Sequence, residues 1–250
     1  MSKIPAPSLL NFRRLAQWAM AERDGYSTAE PFPHAVNTSF LDPDTLAQIL
    51  SEYPGPADVA DWQRMTGTYN DGLPFQTEKL HHMNEYMFGP TLRALLYELN
   101  SARFLMILEQ LTGISGLIGD PHLQGGGLHQ YLPGALLGVH SDFNFHPHYG
   151  LDRRLNLLLY LNEGWRPEWG GDLELWDKSV SRCVKRVAPL SNTCLVFSTT
   201  KDSFHGMPDP LRCPDGITRK SIALYYYSNG RPEHERYPAT KTLWKRRPGE

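Results

Sequence analysis

The chain has 250 residues, and its 25 Lys and Arg residues against 27 Asp and Glu residues give a formal net charge of −2 at pH 7. A composition of 40% hydrophobic and 11% aromatic residues is that of a globular protein and excludes intrinsic disorder. The charge balance also argues against nucleic acid as the main partner, because the basic clusters (Arg13-Arg14, Arg153-Arg154 and residues 245–247) are scattered and are interpreted as solvated surface charge.

The first twenty residues are interrupted by Pro5 and Pro7 and lack the apolar segment of about 7–15 residues that a signal peptide requires. No apolar run approaches the ~20 residues needed to cross a bilayer, so no membrane contact is expected. The three cysteines form no C-x-x-C pair, which fits a reducing compartment. Together these features predict a cytoplasmic protein.

Residues 1–112 are predicted to form mainly helices that support the rest of the chain. Capping residues, helix breakers and apolar side chains at helical spacing define three segments. Their predicted limits are Ser8 to Gly25, Asp42-Pro43 to Pro54, and Thr91 to Gly113 with a break at Asn100-Ser101. In the second segment Asp42 is expected to be the N-cap, with Pro43 at the first helical position.

Residues 123–231 change to short β-rich runs separated by Gly, Pro, Asn and Asp, a pattern typical of a sandwich or barrel. The predicted strands are 127–131, 136–142, 155–161, 171–176, 185–189, 193–198 and 220–227. No linker, repeat or low-complexity tract divides the chain. It is therefore predicted to be a single α+β domain over residues 1–250, with helices first and a β core second.

The segment His140-Ser141-Asp142 carries the first candidate site. Residues i and i+2 of a strand point to the same face about 6.6 Å apart, so the imidazole of His140 and the carboxylate of Asp142 converge. The H-x-D motif alone is weak, since an ordinary hydrogen-bonded His–Asp pair has the same spacing. His205, which follows the apolar run 193–198, supplies a second imidazole.

Two imidazoles and one carboxylate form the facial triad of non-haem Fe(II) sites, which leaves three positions open for a bidentate oxoacid and dioxygen. Zinc could use the same ligands, but no H-E-x-x-H motif or similar hydrolytic base accompanies them. At the beginning of the last predicted strand, Arg219 and Ser221 share one face. A guanidinium beside a hydroxyl matches a terminal carboxylate, and a solvent-exposed arginine is the alternative interpretation.

Taken together, H-x-D, a distant His and R-x-S resemble the 2-oxoglutarate/Fe(II)-dependent dioxygenases, in particular the prolyl 4-hydroxylase-like subgroup. The matching segments lie in residues 123–231 and are HSDF (140–143), RRLNLLLYLN (153–162), WGGDLELWD (169–177), FHGMPDPL (204–211) and CPDGITRKSIALYYYSN (213–229). The resemblance implies a double-stranded β-helix, or jelly-roll, core with N-terminal supporting helices. This fold agrees with the number of short strands.

The resemblance also implies the roles of the site residues. His140, Asp142 and His205 would be the catalytic residues that bind Fe(II). Arg219 would bind the distal carboxylate of the co-substrate 2-oxoglutarate, with Ser221 as a helper.

Two tyrosines resemble positions that contact the same co-substrate. Tyr160 lies in the Y-L-N segment, and the alternation Asn156, Leu158, Tyr160 would put it on one face with Asn156. Tyr131 departs from the usual Y-P-G pattern, because Leu132 is inserted before Pro133-Gly134. For both tyrosines, an ordinary aromatic residue of the barrel wall is the alternative interpretation.

The activity that the resemblance implies is hydroxylation of an unactivated C–H bond with Fe(II), 2-oxoglutarate and O2, and ascorbate is a further cofactor candidate. Related halogenases have Gly or Ala in place of Asp142, so hydroxylation is favoured. The leading substrate is a prolyl residue in a peptide or protein, followed closely by a small amino-acid-like metabolite. Two alternatives stay open: a cupin-like jelly roll that binds a metal without oxidation, and a nucleic-acid demethylase with the same chemistry.

Three further features are interpreted as structural. The glycines at 125–127 lack the strand-to-helix context of a phosphate loop, which indicates close approach of strands. His146 and His148 follow the H-x-D motif and are interpreted as loop residues outside the metal site. The polar and basic tail, residues 237–250, is expected to be ordered only if it docks on the domain.

Overall fold

The computed structural model describes residues 8–59 and 61–250. Pro5 and Pro7, on which part of the signal-peptide argument rests, lie outside the described residues. Within these ranges there are four α-helices: α1 (Phe12–Thr28), α2 (Pro43–Glu52), α3 (Pro90–Leu99) and α4 (Ala102–Thr112). None of these described helices is both long and apolar enough to cross a membrane.

The capping residues of α1 differ from the prediction. Asn11, not Ser8, is the N-cap, because its side chain accepts a hydrogen bond from the N–H of Arg14 at 3.2 Å. Gly25 lies inside the helix and does not end it. The hydroxyl of Ser8 instead donates to the carboxylate of Glu98 at 2.9 Å, which ties the N-terminal segment to α3.

The remaining helices are confirmed, with one change at a cap. α2 follows Asp42 as predicted, but the Asp42 side chain makes no capping hydrogen bond and pairs with Arg14 at 2.9 Å. The break between α3 and α4 lies at Asn100-Ser101, and the Ser101 side chain caps α4. Gly113 ends α4 in the left-handed conformation, with φ 72°, which glycine adopts without steric cost.

Eleven strands form one curled antiparallel sheet in the described part of the chain. Their bounds are β1 (His34–Asn37), β2 (Gln63–Thr68), β3 (Pro74–His82), β4 (Gly127–Ser141), β5 (Asp152–Tyr160), β6 (Leu173–Trp176), β7 (Cys183–Val187), β8 (Cys194–Ser198), β9 (His205–Met207), β10 (Arg219–Ser228) and β11 (Leu243–Trp244). The order across the sheet is β1-β8-β5-β10-β4-β9-β6-β7, while β3 and β11 also pair with β4, and β2 pairs with β3. The predicted double-stranded β-helix is confirmed.

The first 112 residues contribute strands as well as helices, which the prediction of helical support did not include. β1 pairs with β8, and β3 pairs with β4. β2 could not be recognised because its residues are largely exposed and show no apolar alternation. β3 was missed because its inward side chains include Lys79 and His81, which line a cavity and not an apolar core.

One strand prediction needs adjustment, and one strand of the sheet was not predicted. The predicted strands 127–131 and 136–142 are parts of the single strand β4, which continues through Pro133 and Gly134. β9 has only three residues, so it offers no periodicity from which a strand could be predicted. Because β9 pairs with β4, it nevertheless fixes the position of His205 in the fold.

The curled sheet separates two environments, as the alternation along β5 shows. Leu155, Leu157 and Leu159 point outward into the core that the sheet shares with the helices. From α4 this core receives Phe104, Ile107, Leu108 and Leu111. Burying a side chain of this size stabilises a fold by about 1.5–3 kcal/mol. The inner face of the same strands carries the polar side chains of the site.

The glycines at 125–127 allow the close approach of strands that the sequence predicts. A Cβ atom at Gly126 would lie 2.7 Å from the carbonyl oxygen of Ala223 on β10. A Cβ atom at Gly127 would lie 2.4 Å from the carbonyl oxygen of His82 on β3. Since real Cβ atoms do not approach oxygen this closely, a larger residue at either position would push neighbouring strands apart.

Arg153 and Arg154 are buried, with 0% and 5% of their surfaces exposed, so the interpretation of this pair as solvated surface charge is wrong. Arg154 donates a hydrogen bond to the hydroxyl of Ser228 at 3.2 Å and pairs with Glu235 at 2.8 Å. Both partners are distant in the sequence, so no local pattern reveals them. Arg153 belongs to the site described below.

Candidate active site

A cavity of about 470 Å³ lies inside the curled sheet. Its wall consists of inward side chains of the sheet, chiefly from β3, β4, β5, β9 and β10, together with the C-terminal segment. The predicted site residues on this wall are His140, Asp142, His205, Arg219, Ser221 and Tyr131. Tyr160 is not part of the wall; it is fully buried, with its ring centroid 4.8 Å from the guanidinium carbon of Arg219.

The strand pairing brings the triad together. His140 lies near the end of β4, Asp142 follows that strand directly, and β9 places His205 opposite His140. The distance from Nε2 of His140 to Oδ1 of Asp142 is 3.7 Å, and from Nε2 of His205 to Oδ2 of Asp142 it is 3.5 Å. One ligand atom from each residue lies within 4.8 Å of the others. This spacing suits a single metal ion bound on one face.

The two histidines present a free nitrogen to the cavity. Nδ1 of His140 lies 2.9 Å from the carbonyl oxygen of Gly138, and Nδ1 of His205 lies 2.9 Å from that of Ser203. A carbonyl oxygen can only accept, so Nδ1 carries the hydrogen and Nε2 keeps its lone pair. Burial, helped by His205, lowers the pKa of His140 to about 3, and burial also lowers the pKa of His205. Both rings are therefore neutral, the form that binds a metal ion.

Asp142 is held as a carboxylate by its neighbours. Burial alone would raise its pKa, but Arg153, His205 and His140 outweigh burial and keep the pKa of Asp142 well below its usual range. Nη2 of Arg153 lies 3.1 Å from Oδ2 of Asp142, and Asn156 donates a hydrogen bond to the same oxygen at 2.7 Å. Arg153 also donates to Oδ1 of Asn156 at 2.7 Å. These contacts fix the carboxylate in one orientation.

Arg153 was not recognised from the sequence because a β-bulge changes its side. The register between β5 and β10 shifts at Tyr226 and Tyr227, so Arg153 pairs with Tyr227. Without that shift, alternation would turn Arg153 outward with Leu155. The guanidinium carbon instead lies 3.4 Å from the ring centroid of Tyr225. A favourable cation–π contact thus accompanies its ion pair with Asp142.

Arg219 opens β10 and is 3% exposed, so the alternative of a solvent-exposed arginine is wrong. Its Nε donates to the carbonyl oxygen of Gly171 at 2.7 Å, and its guanidinium carbon lies 5.3 Å from the ring centroid of Tyr131. Among the described residues no carboxylate lies within 4.0 Å of this guanidinium. A buried cation without a partner favours an anion at this end of the cavity.

The two predicted tyrosines flank Arg219. Burial raises the pKa of Tyr160, although the positive charge of Arg219 opposes the shift, and burial raises the pKa of Tyr131 to about 12. Both hydroxyls therefore keep their protons. The buried hydroxyl of Tyr160 has no hydrogen-bond partner within the described ranges 8–59 and 61–250. A neutral hydroxyl beside a guanidinium can donate to the oxygen of a bound anion.

Other polar residues of the wall were not recognised from the sequence. Burial lowers the pKa of His81 to about 4 and holds the pKa of His129 well below the usual range, so both rings are neutral. Across β3, β4 and β10 the paired residues form the rows His81–His129–Ser221 and Lys79–Tyr131–Arg219. In the sequence, the i, i+2 relation of His129 to Tyr131 is the signal that could have revealed the row of His129.

The C-terminal segment docks beside the triad, in agreement with the expectation that it is ordered when docked. β11 pairs with β4 so that Trp244 lies opposite His140. The ring centroids of Trp244 and His140 are 4.7 Å apart, and Trp244 stacks on Phe75 of β3 at 4.2 Å. These two aromatic rings form an apolar side of the cavity.

His146 and His148 lie outside the cavity wall. Nδ1 of His146 accepts the backbone N–H of His148 at 3.2 Å, and its Nε2 lies 3.6 Å from Oδ1 of Asp120. His146 is fully buried, whereas His148 is exposed. Their interpretation as residues outside the metal site agrees with this placement.

Residues 126–227 match the family model described as the 2OG-Fe(II) oxygenase superfamily. This segment of the chain is similar to the 2OG-Fe(II) oxygenases. The match supports a 2-oxoglutarate-dependent dioxygenase, for which Fe(II) is the metal and 2-oxoglutarate the co-substrate. None of the curated proteins matches its sequence.

Solved structures with the same fold include a prolyl-4-hydroxylase from Pseudomonas putida, with 18% identity, a TM-score of 0.55 and coverage of 84% of this chain and 99% of that chain. A prolyl hydroxylase from Trichoplax adhaerens, in complex with a hypoxia inducible factor peptide fragment, has 15% identity, a TM-score of 0.59 and coverage of 87% and 90%. HygX from Streptomyces hygroscopicus, with nickel, 2-oxoglutarate and hygromycin B bound, has 11% identity, a TM-score of 0.53 and coverage of 89% and 96%. At these identities the similarity shows that this chain has the same fold, and no more.

The side chains of the cavity fit both Fe(II) and 2-oxoglutarate, the metal and the co-substrate of this superfamily. Two neutral imidazole nitrogens and one carboxylate converge at the distances given above, and this donor set suits Fe(II). At the same cavity, the guanidinium of Arg219 and the hydroxyl of Tyr160, which have no ion-pair or hydrogen-bond partner, respectively, among the described side chains, fit a carboxylate of 2-oxoglutarate.

Proposed function

We propose that this dioxygenase hydroxylates an unactivated C–H bond of a prolyl residue in a peptide, or of a small amino-acid-like molecule. The observation that carries the proposal is the placement of the His140–Asp142–His205 triad and the unpaired Arg219 on the wall of one cavity. A metal site and an anion site that share one cavity are what the superfamily's chemistry requires.

In this proposal His140, Asp142 and His205 hold Fe(II) through two Nε2 atoms and one carboxylate. When bound, the metal with 2-oxoglutarate and O2 supplies the oxidation of the C–H bond, coupled to conversion of 2-oxoglutarate to succinate and CO2. The hydrogen bonds from Nδ1 to Gly138 and Ser203 keep both rings in the metal-binding tautomer. Asn156 and Arg153 would orient the carboxylate, as their contacts with Asp142 suggest.

Arg219 would bind the distal carboxylate of 2-oxoglutarate, with Tyr160 donating a hydrogen bond to the same group. Arg219 is already oriented by its bond to Gly171, so little conformational entropy would be lost on binding. Tyr131 and Ser221 would complete the wall beside it. The presence of Asp142, which fills a coordination position, favours hydroxylation over halogenation.

The choice of substrate rests on the shape of the cavity and on the fold's known occupants. The Trichoplax adhaerens neighbour carries a peptide, and HygX carries hygromycin B, so this fold accepts both a chain and a small molecule. In the present chain Trp244 and Phe75 offer an apolar surface next to the triad, suited to the ring or aliphatic part of either substrate. Ascorbate as a reductant and a cytoplasmic location stay predictions.

The test is turnover of the purified protein with Fe(II), 2-oxoglutarate and O2, with proline-containing peptides and free cyclic amino acids as substrates. We expect succinate to form only with Fe(II), and a product that is heavier by one oxygen atom in the mass spectrum. His205→Ala serves as the inactive control. Succinate formation without Fe(II), or none under any of these conditions, would contradict the proposal and favour a metal-binding protein without oxidation.

A further inference from the structure

We propose that Lys79 binds a carboxylate of the substrate, so that this enzyme hydroxylates an acid. The inference rests on the proposed function and names the class of its substrate. It depends on three observations: the strand geometry that turns Lys79 inward, the lack of a partner for its ammonium group, and the charge of the cavity wall.

A β-bulge places Lys79 in the cavity. The register between β3 and β4 shifts between Thr77 and Lys79, and Glu78 between them has a φ of 50°, a left-handed value that is uncommon for residues other than glycine. As a result both Gln76 and Lys79 line the cavity. Strained backbone of this kind persists where the surrounding structure fixes it, often beside a ligand site.

The ammonium group of Lys79 has no counter-ion in the part of the chain that the structure describes. Its Nζ lies 5.8 Å from the ring centroid of Tyr131, and among the described residues no Asp or Glu lies within 4.0 Å of it. Burial lowers the pKa of Lys79, since the charged form loses hydration in the cavity. A bound carboxylate would restore the favourable interactions that the charge lacks.

The charges on the wall leave Lys79 available for the substrate. Of the described wall residues only Asp142 is acidic, and it is paired with Arg153 at 3.1 Å. In the proposed function Arg219 would bind the distal carboxylate of 2-oxoglutarate, and the metal would bind its other carboxylate. The cavity therefore keeps an excess positive charge at Lys79 after both groups are bound, and this charge attracts an anion.

Lys79 is separated from the place assigned to the co-substrate. In the row Lys79–Tyr131–Arg219 the tyrosine stands between the two cations, and two strand spacings put their backbones about 9.6 Å apart. The apolar pair Trp244 and Phe75 lies on the β3 and β11 side of the triad. An acid with its carboxylate on Lys79 could thus present an aliphatic part to the triad without displacing the co-substrate.

The experiment uses the full chain loaded with Mn(II) and N-oxalylglycine, which occupies the place of 2-oxoglutarate. Trifluoroacetate is the carboxylate probe, and trifluoroacetamide is the neutral control of the same shape. Bound Mn(II) increases the relaxation rate of fluorine nuclei nearby, and this increase, which saturates with probe concentration, is the readout. We expect a large increase in the relaxation rate for the acid and a small one for the amide. Lys79→Gln should weaken trifluoroacetate binding about tenfold or more, the effect of losing a charge-assisted hydrogen bond.

Two further variants show whether weaker trifluoroacetate binding by Lys79→Gln is due to the lost charge at this position. Lys79→Arg should keep binding because the charge remains, and Lys178→Gln, at an exposed position with 76% of its side chain accessible, should behave like the parent protein. Equal enhancement for acid and amide in the parent protein would overturn the inference. So would a Lys79→Gln protein that binds trifluoroacetate normally, or one that instead loses N-oxalylglycine about tenfold.

Competition against trifluoroacetate shows whether the carboxylate that Lys79 binds belongs to a free acid or to a side chain of a peptide. Displacement by L-proline identifies a free acid as the ligand. Displacement only by a blocked peptide that contains Pro-Glu identifies an acidic side chain of a longer substrate. A protein that binds neither Mn(II) nor N-oxalylglycine and forms no succinate with Fe(II) would instead contradict the proposed function, whatever the fluorine signal.

Discussion

The two faces of β5 obey different rules although their residues alternate along one strand. On the outer face, Leu155, Leu157 and Leu159 pack into a core shared with the helices, and any apolar side chain of similar volume would serve there. On the inner face, Asn156 donates to one oxygen of Asp142, and Tyr160 lies against one guanidinium. The outer face depends on volume and the inner face on single atoms.

This difference separates stability from activity. The loss of an outward leucine removes a sizeable part of a net folding free energy of about 5–15 kcal/mol. The loss of an inward polar atom removes little packing but changes the chemistry of the cavity. If the comparison is correct, variants of the inner face should fold well and work poorly, and variants of the outer face should show the opposite.

The largest effect is expected for His205→Ala. Removing one of the three proposed metal ligands should abolish succinate formation and lower iron occupancy, while the melting temperature changes little because the cavity already borders the side chain. Enzyme-coupled succinate detection and metal analysis of the purified variant measure both properties. His122→Ala, at an exposed position, is the matched control and should retain full activity. Full turnover by His205→Ala would remove this residue from the metal site.

Local rules of strand alternation bring part of the proposed site together. Strand alternation brings His140 and Asp142 together, and Arg219 with Ser221 follows the same rule on β10. What the sequence does not reveal depends on long-range pairing: the three-residue strand β9, and the bulge that turns Arg153 inward. Lys79 was missed for the same reason, since only the pairing of β3 with β4 makes it part of the site.

The helices show the same limit. The break between α3 and α4 is a local matter of capping and was predicted correctly. At α1, however, Ser8 has the right side chain for an N-cap but is used by Glu98, which is distant in the sequence. A sequence pattern gives the residues that are able to cap a helix, whereas tertiary contacts decide which of them does.

The second largest effect is expected for Arg219→Met. Breaking one side of a desolvated Arg–carboxylate pair costs about 2–5 kcal/mol, which corresponds to roughly 30- to 4,000-fold in affinity for 2-oxoglutarate. Iron binding should be nearly unchanged. The apparent 2-oxoglutarate constant and an anaerobic titration of the Fe(II)–oxoacid absorption band provide the measurement.

Two related variants sharpen this prediction. Arg219→Lys should recover only part of the affinity, since an ammonium group keeps the charge but loses the planar pair of donors. Ser221→Ala should cost about 1 kcal/mol, the value of a single hydrogen bond. An Arg219→Met protein with an unchanged 2-oxoglutarate constant would show that another basic residue holds the co-substrate.

The outer face is tested with adjacent leucines of β5. Leu157→Ala creates a cavity in the helix-covered core and should destabilise the fold by about 2–5 kcal/mol, measured by denaturant unfolding. Leu158→Ala, at the next position, borders the cavity of the site and should cost less because it only enlarges an existing space. Below its unfolding transition, Leu157→Ala should keep the turnover number of the parent protein. Equal losses of stability for both variants would contradict the division between the two faces.

The smallest effect concerns Asn156, which is hydrogen-bonded to Asp142 and is not one of the three proposed metal ligands. Asn156→Ala removes the 2.7 Å hydrogen bond to Oδ2 and leaves the guanidinium of Arg153, 3.1 Å away, to orient that oxygen from outside the triad. Loss of such a supporting contact typically weakens metal binding by about 10- to 100-fold. A Mn(II) titration followed by electron paramagnetic resonance measures this affinity. Asn162→Ala is the matched control, because the hydrogen bonds described for the Asn162 side chain go to backbone groups of Pro189 and Lys220. It should lower stability and leave the Mn(II) affinity unchanged, whereas equal affinities for Asn156→Ala and the parent protein would mean that Arg153 alone orients the carboxylate.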